Sequence, residues 1–124
     1  MDDETAPLFR QIAMLVEDAI VGGDLSVGDR APSTNELAAF HDINPATARR
    51  GLSVLVDRGV LVRRRGLGMF VTEEARRIIL ERRRENFTAT FLVPLVDEAV
   101  KLDLSRRMVR DLMEAVAESR GLYG

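Results

Sequence analysis

Two helix-start signals follow one another closely in the first half of this chain. In Pro32-Ser33-Thr34-Asn35-Glu36 the serine stands three residues before the glutamate, the spacing of a capping box in which each side chain binds the other residue's backbone N–H. Asn44-Pro45 follows, and asparagine is a favoured N-cap while proline suits the first helical position. The first helix must therefore end near His41-Asp42, which predicts two helices joined by a tight turn.

The second of these helices is expected to run from Pro45 to about Arg58, because Gly59 is a typical helix stop. Its inner face is expected to contain Ala48, Gly51, Leu52, Leu55 and Val56. Its outer face and flank carry Ala46, Thr47, Arg49, Arg50 and Ser53. Two short helices, the second with small polar and arginine side chains in its first turns, are typical of a helix-turn-helix.

An amphipathic helix is predicted before this pair. It starts near Pro7, ends at Gly22-Gly23, and carries one apolar stripe of Leu8, Ile12, Leu15, Val16, Ala19 and Ile20. An extended connector, Leu25 to Arg30, follows and contains a turn at Gly28-Asp29.

After the second helix of the pair, two strand-forming runs flank a glycine-containing loop. The runs are Val60–Arg64 and Met69–Thr72, and the loop is Arg65-Gly66-Leu67-Gly68. Such a pattern predicts a β-hairpin. A basic hairpin directly after a helix-turn-helix is the wing of a winged helix, so residues 1–72 are expected to form a winged helix-turn-helix DNA-binding domain.

The charge distribution supports this interpretation more than the total charge does. The formal net charge is only −2, yet six arginines and one aspartate lie between Arg49 and Arg65. Clustered positive charge is the electrostatic footprint of a nucleic-acid-binding surface. An arginine run alone is usually a solvated surface, and an amphipathic helix alone is usually core. The order and spacing of all these elements together favour binding of double-stranded DNA.

Other classes of function are weakly supported. The chain has no cysteine, and its one histidine, His41, is expected in a turn rather than as a catalyst or metal ligand. We therefore predict no catalytic residues, no metal site, no cofactor and no enzyme activity. The N-terminus, MDDETAP, lacks the apolar segment of a signal peptide, and no apolar run is long enough for a membrane span. A cytoplasmic protein without a membrane partner is expected.

Residues 73–124 are predicted to form a helical tail. Glu73 to Lys101 is mostly helix-forming, with alternating arginines and glutamates that indicate an exposed, ion-paired helix more than a second DNA arm. Pro94 is expected to kink or break it, and a last helix runs from Ser105, its N-cap, to Gly121. Overall, the fold is expected to be mainly α with a small β-hairpin: a winged helix-turn-helix followed by a two-helix tail.

Apolar stripes in the tail cannot form a core by themselves, and pairing with a second copy of the chain is the simplest way to bury them. The alternative is that the tail folds back on its own winged helix. The residues expected at the homodimer interface are Phe87, Phe91, Leu92, Leu95, Val96, Val100, Met108, Val109, Leu112, Met113 and Val116.

The first half resembles the GntR family of bacterial regulators. The motifs that carry the resemblance are PLFRQI (7–12), GDLSVGDRAPSTNELA (23–38), NPATARR (44–50) and GVLVRRRGLGMFV (59–71). Only about fifty residues follow, too few for the large ligand-binding domains of other branches, so the length resembles the YtrA subfamily with its short dimerisation tail. The resemblance implies a transcription regulator, most often a repressor, in some cases of a transporter operon, with a small-molecule effector.

Three departures from the family pattern are noticeable. Asn35 replaces an arginine that is common at the start of this helix in the family, His41-Asp42 replaces a usual Leu-Gly turn, and Gly51 stands where alanine is common. Asp accepts a left-handed backbone better than most residues. Gly51 lowers helix stability by about 1 kcal/mol unless close packing requires it. These departures bear on the operator sequence rather than on the fold.

The expected DNA contacts divide into backbone and base contacts. Ser33, Asn44 and Thr47 have the right size to bind phosphate oxygens, and Arg49 or Arg50 can reach a guanine, although the sequence leaves open which one does. Arg65-Gly66 is expected to approach the minor groove, and only one of Arg63 and Arg64 should face DNA. The complete predicted set is Ser33, Thr34, Asn35, Asn44, Ala46, Thr47, Arg49, Arg50, Arg63, Arg65 and Gly66. A nonspecific architectural DNA binder is the alternative, and it would show little sequence preference.

Overall fold

The computed structural model describes residues 7–124, which form two compact units divided between Glu85 and Asn86. The first unit contains α1 (Leu8–Gly22), α2 (Thr34–His41), α3 (Pro45–Asp57), β1 (Leu61–Arg64), β2 (Gly68–Val71) and α4 (Ala75–Glu85). The second contains a π-helical segment (Thr88–Leu92), α5 (Val93–Lys101) and α6 (Arg106–Arg120). The predicted fold, mainly α with one small antiparallel hairpin, is confirmed. Within the described residues, no helix is long and apolar enough to cross a membrane.

Local signals account for the bounds of α2 and α3. Ser33 Oγ accepts the Glu36 N–H at 3.1 Å, and Glu36 Oε1 accepts the Ser33 N–H at 2.8 Å, so the capping box is complete. Asn44 Oδ1 accepts the Ala46 N–H at 2.7 Å and caps α3. Between the helices, Asp42 adopts the left-handed conformation, with φ of 53° and ψ of 53°. The predicted caps and the left-handed turn are therefore confirmed.

The core of the first unit lies where α1 crosses α3. Gly51 is buried in this crossing, and a Cβ placed on it would lie 2.8 Å from the Phe9 carbonyl oxygen and 3.0 Å from Ile12 Cβ. The helices are therefore too close for any side chain at this position, which explains the glycine that helix propensity disfavours. The largest fully buried side chains of the core are Ile12, Leu52, Leu55, Val60, Leu61 and Ile79.

The wing is anchored to the helices by the connector that precedes α2. β1 pairs with β2 in antiparallel register, from Leu61 opposite Val71 to Arg64 opposite Gly68. The connector then adds backbone hydrogen bonds to β2: the Val71 N–H donates to the Asp29 oxygen at 2.9 Å, and the Ala31 N–H donates to the Met69 oxygen at 2.8 Å. The sequence predicts an extended connector but not this pairing, which fixes the hairpin relative to α2.

Helix α4 belongs to the first unit. Ala75 and Ile79 are fully buried in the core, and Arg76 Nη1 donates to the Val21 carbonyl oxygen at 2.6 Å. The sequence places the domain boundary after Thr72, between segments 1–72 and 73–124, whereas the compact units divide after Glu85. The reason is that two apolar residues among the charges of α4 complete the core, so this helix is not simply an exposed linker.

The second unit is built from helices with few buried side chains. Pro94 lies in the first turn of α5, directly after the π-helical segment. The backbone stays in the right-handed helical region at Phe87, Leu92 and Val93, so the kink or break expected at Pro94 takes the form of a π-helical segment and the helix itself continues. Ser105 Oγ accepts the Met108 N–H at 3.1 Å and caps α6, which ends at Gly121 with φ of 80°. Ala99 is the one buried residue among those described in this unit.

Candidate nucleic-acid interface

The first turns of α3 present a polar, cationic surface. Ala46, Arg49 and Arg50 are exposed and Thr47 is half-buried, while Ala48 on the opposite side is fully buried. This division follows from the helical period, because α3 uses its apolar positions to pack on α1 and α2. The polar surface coincides with the N-terminal end of the helix, whose unpaired N–H groups and dipole favour phosphate.

One shallow groove of about 380 Å³ brings together residues of α3, of the wing and of the continuous stretch from the connector into the start of α2. Arg49 of α3 borders it, together with the N-terminal turn of α2 at residues 33–35 and Gly68 of the wing. Arg30 of the connector also lines the groove. Of the predicted contacts, this groove therefore gathers Ser33, Thr34, Asn35 and Arg49.

Two capping side chains keep hydrogen-bonding capacity for a phosphate. Ser33 Oγ accepts the Glu36 N–H, and its own hydroxyl hydrogen can still be donated. Asn44 uses Oδ1 to accept the Ala46 N–H, which leaves the two amide hydrogens of its side chain as donors. Each residue can therefore cap its helix and bind a phosphate oxygen at the same time.

The carboxylate of Glu36 lies beside this surface and is kept ionised by the capping box. The hydrogen bond from the Ser33 backbone N–H is the main cause that lowers the pKa of Glu36, followed by the Ser33 side chain. Arg30 Nη2 lies 3.8 Å from Glu36 Oε1 and lowers the same pKa further. Both side chains of this pair are exposed, and Arg30 offsets the negative charge of Glu36 beside the groove.

The wing presents arginines in three different environments. Arg63 Nη2 donates to Ser53 Oγ at 3.1 Å and so turns towards α3. The Arg64 guanidinium carbon lies 4.8 Å from the centroid of the Phe70 ring. Arg65 and Gly66 are exposed at the tip, where Gly66 has φ of 77°, a conformation that favours glycine.

Arg50 occupies a different position from Arg49. Its guanidinium carbon lies 3.9 Å from the centroid of the Phe9 ring at the start of α1. With Leu8, Ala46 and Thr47, these two residues border a second groove of about 290 Å³. Arg49 and Arg50, although neighbours in the chain, therefore lie on opposite flanks of α3.

The sequence did not predict that Arg30 and Phe9 lie at this surface. Arg30 reaches the groove because the connector pairs with β2, as shown by the bridge between Arg30 and Phe70. Phe9 reaches Arg50 because α1 crosses α3 closely at Gly51. Both placements depend on contacts between distant segments, for which the sequence carries no local signal.

The residues predicted for dimerisation form a largely exposed apolar surface on the second unit. Most of them lie on the π-helical segment, α5 and α6, and of these Phe91 is 60% exposed, Val100 68% and Leu112 56%. Val109 alone of the predicted set is half-buried. A groove of about 350 Å³ between α5 and α6 is lined by Leu95, Glu98, Ala99, Leu102, Leu104, Val109, Leu112, Met113 and Val116. A surface of this composition in water is unfavourable unless another apolar surface covers it.

Comparison with known proteins agrees with the fold. Residues 8–71 match the family of bacterial regulatory proteins called the gntR family. The chain is 29% identical over 112 residues to the uncharacterized HTH-type transcriptional regulator YhcF of Bacillus subtilis, covering 90% of this chain and 91% of YhcF. It is 29% identical over 77 residues to the HTH-type transcriptional repressor YtrA of Bacillus subtilis, covering 62% of this chain and 59% of YtrA.

Solved structures give the same result. A GntR family transcriptional regulator from Listeria monocytogenes matches with a TM-score of 0.70 and 27% identity, over 93% of this chain and 98% of that chain. AraR(DBD) in complex with operator ORX1 matches with a TM-score of 0.54 and 25% identity, over 58% of this chain and 87% of that chain. Proteins of this kind are DNA-binding transcription factors rather than enzymes. The family match covers half of the chain, and this protein belongs to the GntR family of bacterial transcriptional regulators.

Proposed function

We propose that this regulator is a repressor of the YtrA-like branch that binds an inverted-repeat operator as a homodimer. The observation that carries the proposal is the convergence of Ser33, Arg49 and Gly68 on one groove beside the start of α3. A helix of this kind enters the major groove by its N-terminal end, while the wing reaches the adjacent minor groove. The predicted DNA-contact residues, from Ser33 to Gly66, retain this role in the proposal.

Dimerisation through the second unit supports the inverted repeat. That unit exposes an apolar surface along its helices and has one buried residue among those described, so its helices need a partner surface. A second copy of the same unit provides the matching surface by two-fold symmetry. Two winged helices related in this way require two half-sites in opposite orientation.

The similarity to YtrA is the basis for proposing repression. YtrA itself is named a transcriptional repressor, which supports the same direction of regulation here. The resemblance to the YtrA branch implies a transporter operon as one kind of target, and we propose such an operon for this regulator. We also propose that a small-molecule effector relieves repression by acting through the second unit. Because its partner is chromosomal DNA, we assign the protein to the cytoplasm.

An operator selection tests the DNA part of the proposal. Purified full-length chain is used to select duplexes from a random library, and the enriched sequence is compared with random duplex at one salt concentration. We expect an inverted repeat and a preference of roughly 10³-fold or more. Equal affinity for selected and random duplex would instead identify a nonspecific architectural DNA binder.

Sedimentation equilibrium tests the dimer. We expect a dimer for the wild type and a shift towards monomer for Leu112→Gln, which adds a polar group to the exposed apolar surface of α6. Arg110→Gln, an exposed position on the same helix, is the matched control and should remain dimeric. A dimer of unchanged affinity in Leu112→Gln would contradict the proposed interface.

A further inference from the structure

The ring of Phe9 lies against the guanidinium of Arg50. The distance from Arg50 Cζ to the ring centroid is 3.9 Å, well within the range of about 6 Å for a cation over an aromatic ring. Arg10 lies at the longer distance of 5.5 Å from the same centroid. Phe9 therefore has one close cationic partner, and that partner belongs to the first turns of the recognition helix α3.

This contact is a consequence of the missing side chain at Gly51. A Cβ on Gly51 would meet the Phe9 carbonyl oxygen at 2.8 Å, so only glycine allows the first turn of α1 to come so close to α3. The close approach brings the Phe9 ring beside the residue that precedes Gly51 in the chain, which is Arg50. Helix crossing and ring contact thus have a single structural cause.

A guanidinium can stack and bind DNA at the same time. Its flat face contacts an aromatic ring, whereas its N–H donors point outward in the plane. Arg50 lies with Leu8 and Phe9 on the α1 flank of α3, while Arg49 borders the groove on the wing side. The recognition helix of a helix-turn-helix lies in the major groove between two phosphate backbones, so a donor on its α1 flank is nearer to phosphate than to the base edges on the groove floor.

We propose that Phe9 is a positioning residue of the DNA interface, whose ring holds the Arg50 guanidinium ready for a phosphate oxygen. The inference rests on the proposed function, since it assumes that α3 enters the major groove. Arginine side chains lose rotamer freedom when they bind, and a side chain already held in place loses less. Phe9 should therefore raise affinity without touching DNA itself.

A double-mutant cycle tests the inference on the full-length chain. The variants are Phe9→Leu, Arg50→Ala and the double variant, and the measurement is the dissociation constant for the selected operator duplex and for a random duplex. We expect Phe9→Leu to weaken binding about fivefold in the wild-type background and by less than about 1.5-fold when Arg50 is already alanine. Phe9→Tyr, which keeps the aromatic face, should bind within about twofold of the wild type.

The salt dependence of binding distinguishes Arg50, which is proposed to contact phosphate, from Phe9, which is proposed to hold Arg50 in position. Arg50→Ala should reduce the slope of log K against log salt by about 0.9 for each half-site, because one phosphate contact is lost. Phe9→Leu should leave the slope unchanged, since the contact still forms. As a matched control, Phe9→Leu combined with Arg49→Ala should give additive effects. The thermal midpoint of every variant is measured to detect unfolding.

Equal losses from Phe9→Leu in both Arg50 backgrounds would overturn the inference, since Phe9 would then act only through the fold. A reduced salt slope in Phe9→Leu would also overturn it. Failure of the proposed function is a separate result: the wild type would bind selected and random duplexes equally. A phosphate contact does not depend on sequence, so the cycle on random duplex still tests Phe9 in that case.

Discussion

Glu17 of α1 accepts a hydrogen bond from Arg58, the C-cap residue that follows α3, with Oε2 and Nη1 3.2 Å apart. Only 3% of Glu17 is exposed, and two arginines of α4 approach the same carboxylate, Arg82 at 3.8 Å and Arg83 at 3.7 Å. Burial, and then the charge of Arg82, lower the pKa of Arg58, while Glu17 opposes both. One buried carboxylate thus joins three helices of the first unit.

We expect Glu17→Gln to destabilise the protein by about 2 to 3 kcal/mol, because partly buried arginines lose their counter-charge. Thermal or urea unfolding measures the change. Glu81→Gln is the matched control: Glu81 also pairs with an arginine, Arg77 at 2.8 Å, but both side chains are about half exposed and the pair should matter little. Equal midpoints for the two variants would show that the Glu17 cluster does not hold α4 in place.

Gly51→Ala should destabilise the protein although alanine favours helices. The new Cβ would lie 2.8 Å from a backbone oxygen of α1, so the helices must move apart at a free-energy cost of about 1 to 3 kcal/mol. Gly22→Ala is the control, because no atom lies within 4 Å of its Cβ position and the same propensity gain of about 0.5 to 1 kcal/mol applies. In urea unfolding, the free energy of unfolding should fall for Gly51→Ala and rise for Gly22→Ala. A stabilised Gly51→Ala variant would contradict the close crossing of α1 and α3.

The capping box of α2 should make stability depend on pH in the acid range. The pKa of Glu36 lies below its ordinary value of 4.5, chiefly because of the Ser33 N–H. The stabilisation is therefore complete above that ordinary value and is lost as the pH falls through the lowered one. Glu36→Gln keeps a hydrogen-bonding side chain that does not titrate. The thermal midpoint of the wild type should fall relative to this variant as the pH falls below the ordinary value of 4.5. Parallel curves for the two proteins would contradict the prediction.

Arg49→Ala should reduce sequence discrimination. Arg49 is exposed in the groove between α2 and the wing, where it can reach a base edge. We expect a loss of about 1 to 3 kcal/mol in preference for the correct base pair at one position of each half-site, measured by repeating the operator selection. Arg107→Ala, at an exposed site on α6, is the control and should leave the selected sequence unchanged. If Arg49→Ala selected the same operator sequence as the wild type, a residue other than Arg49 would recognise the base.

Truncation should reveal where the first unit ends. A chain that stops after Glu85 keeps Ala75 and Ile79, both with no exposed surface, whereas one that stops after Thr72 loses them and opens the core. We expect cooperative unfolding for the longer fragment and a midpoint lower by about 8 °C or more for the shorter one. Removal of a buried isoleucine alone costs about 2 to 5 kcal/mol, and each kcal/mol lowers the midpoint by roughly 4 to 8 °C in a domain of this size. Circular dichroism during heating measures both, and equal midpoints would mean that α4 adds nothing to the core.

Signals that act over a few residues were readable from the sequence. Ser33, Asn44 and Ser105 accept N–H groups within three positions along the chain, and the left-handed turn at Asp42 depends on its own backbone. The apolar stripes and the glycine-containing hairpin are likewise local patterns. For this reason the helices, the wing and the cationic face of α3 were predicted correctly, while the DNA and dimer contacts proposed on them stay predictions.

Contacts between distant segments were decided by the tertiary structure alone. Gly51 is explained by the crossing with α1, Arg30 reaches the groove through strand pairing, and Phe9 meets Arg50 across two helices. The assignment of α4 to the first unit depends likewise on the core and on Glu17. Each of these relationships is set by how whole elements pack, and no local pattern specifies which of several apolar or charged residues will meet. The sequence by itself determined a winged helix with a cationic recognition helix, and packing determined how each arginine on it is held.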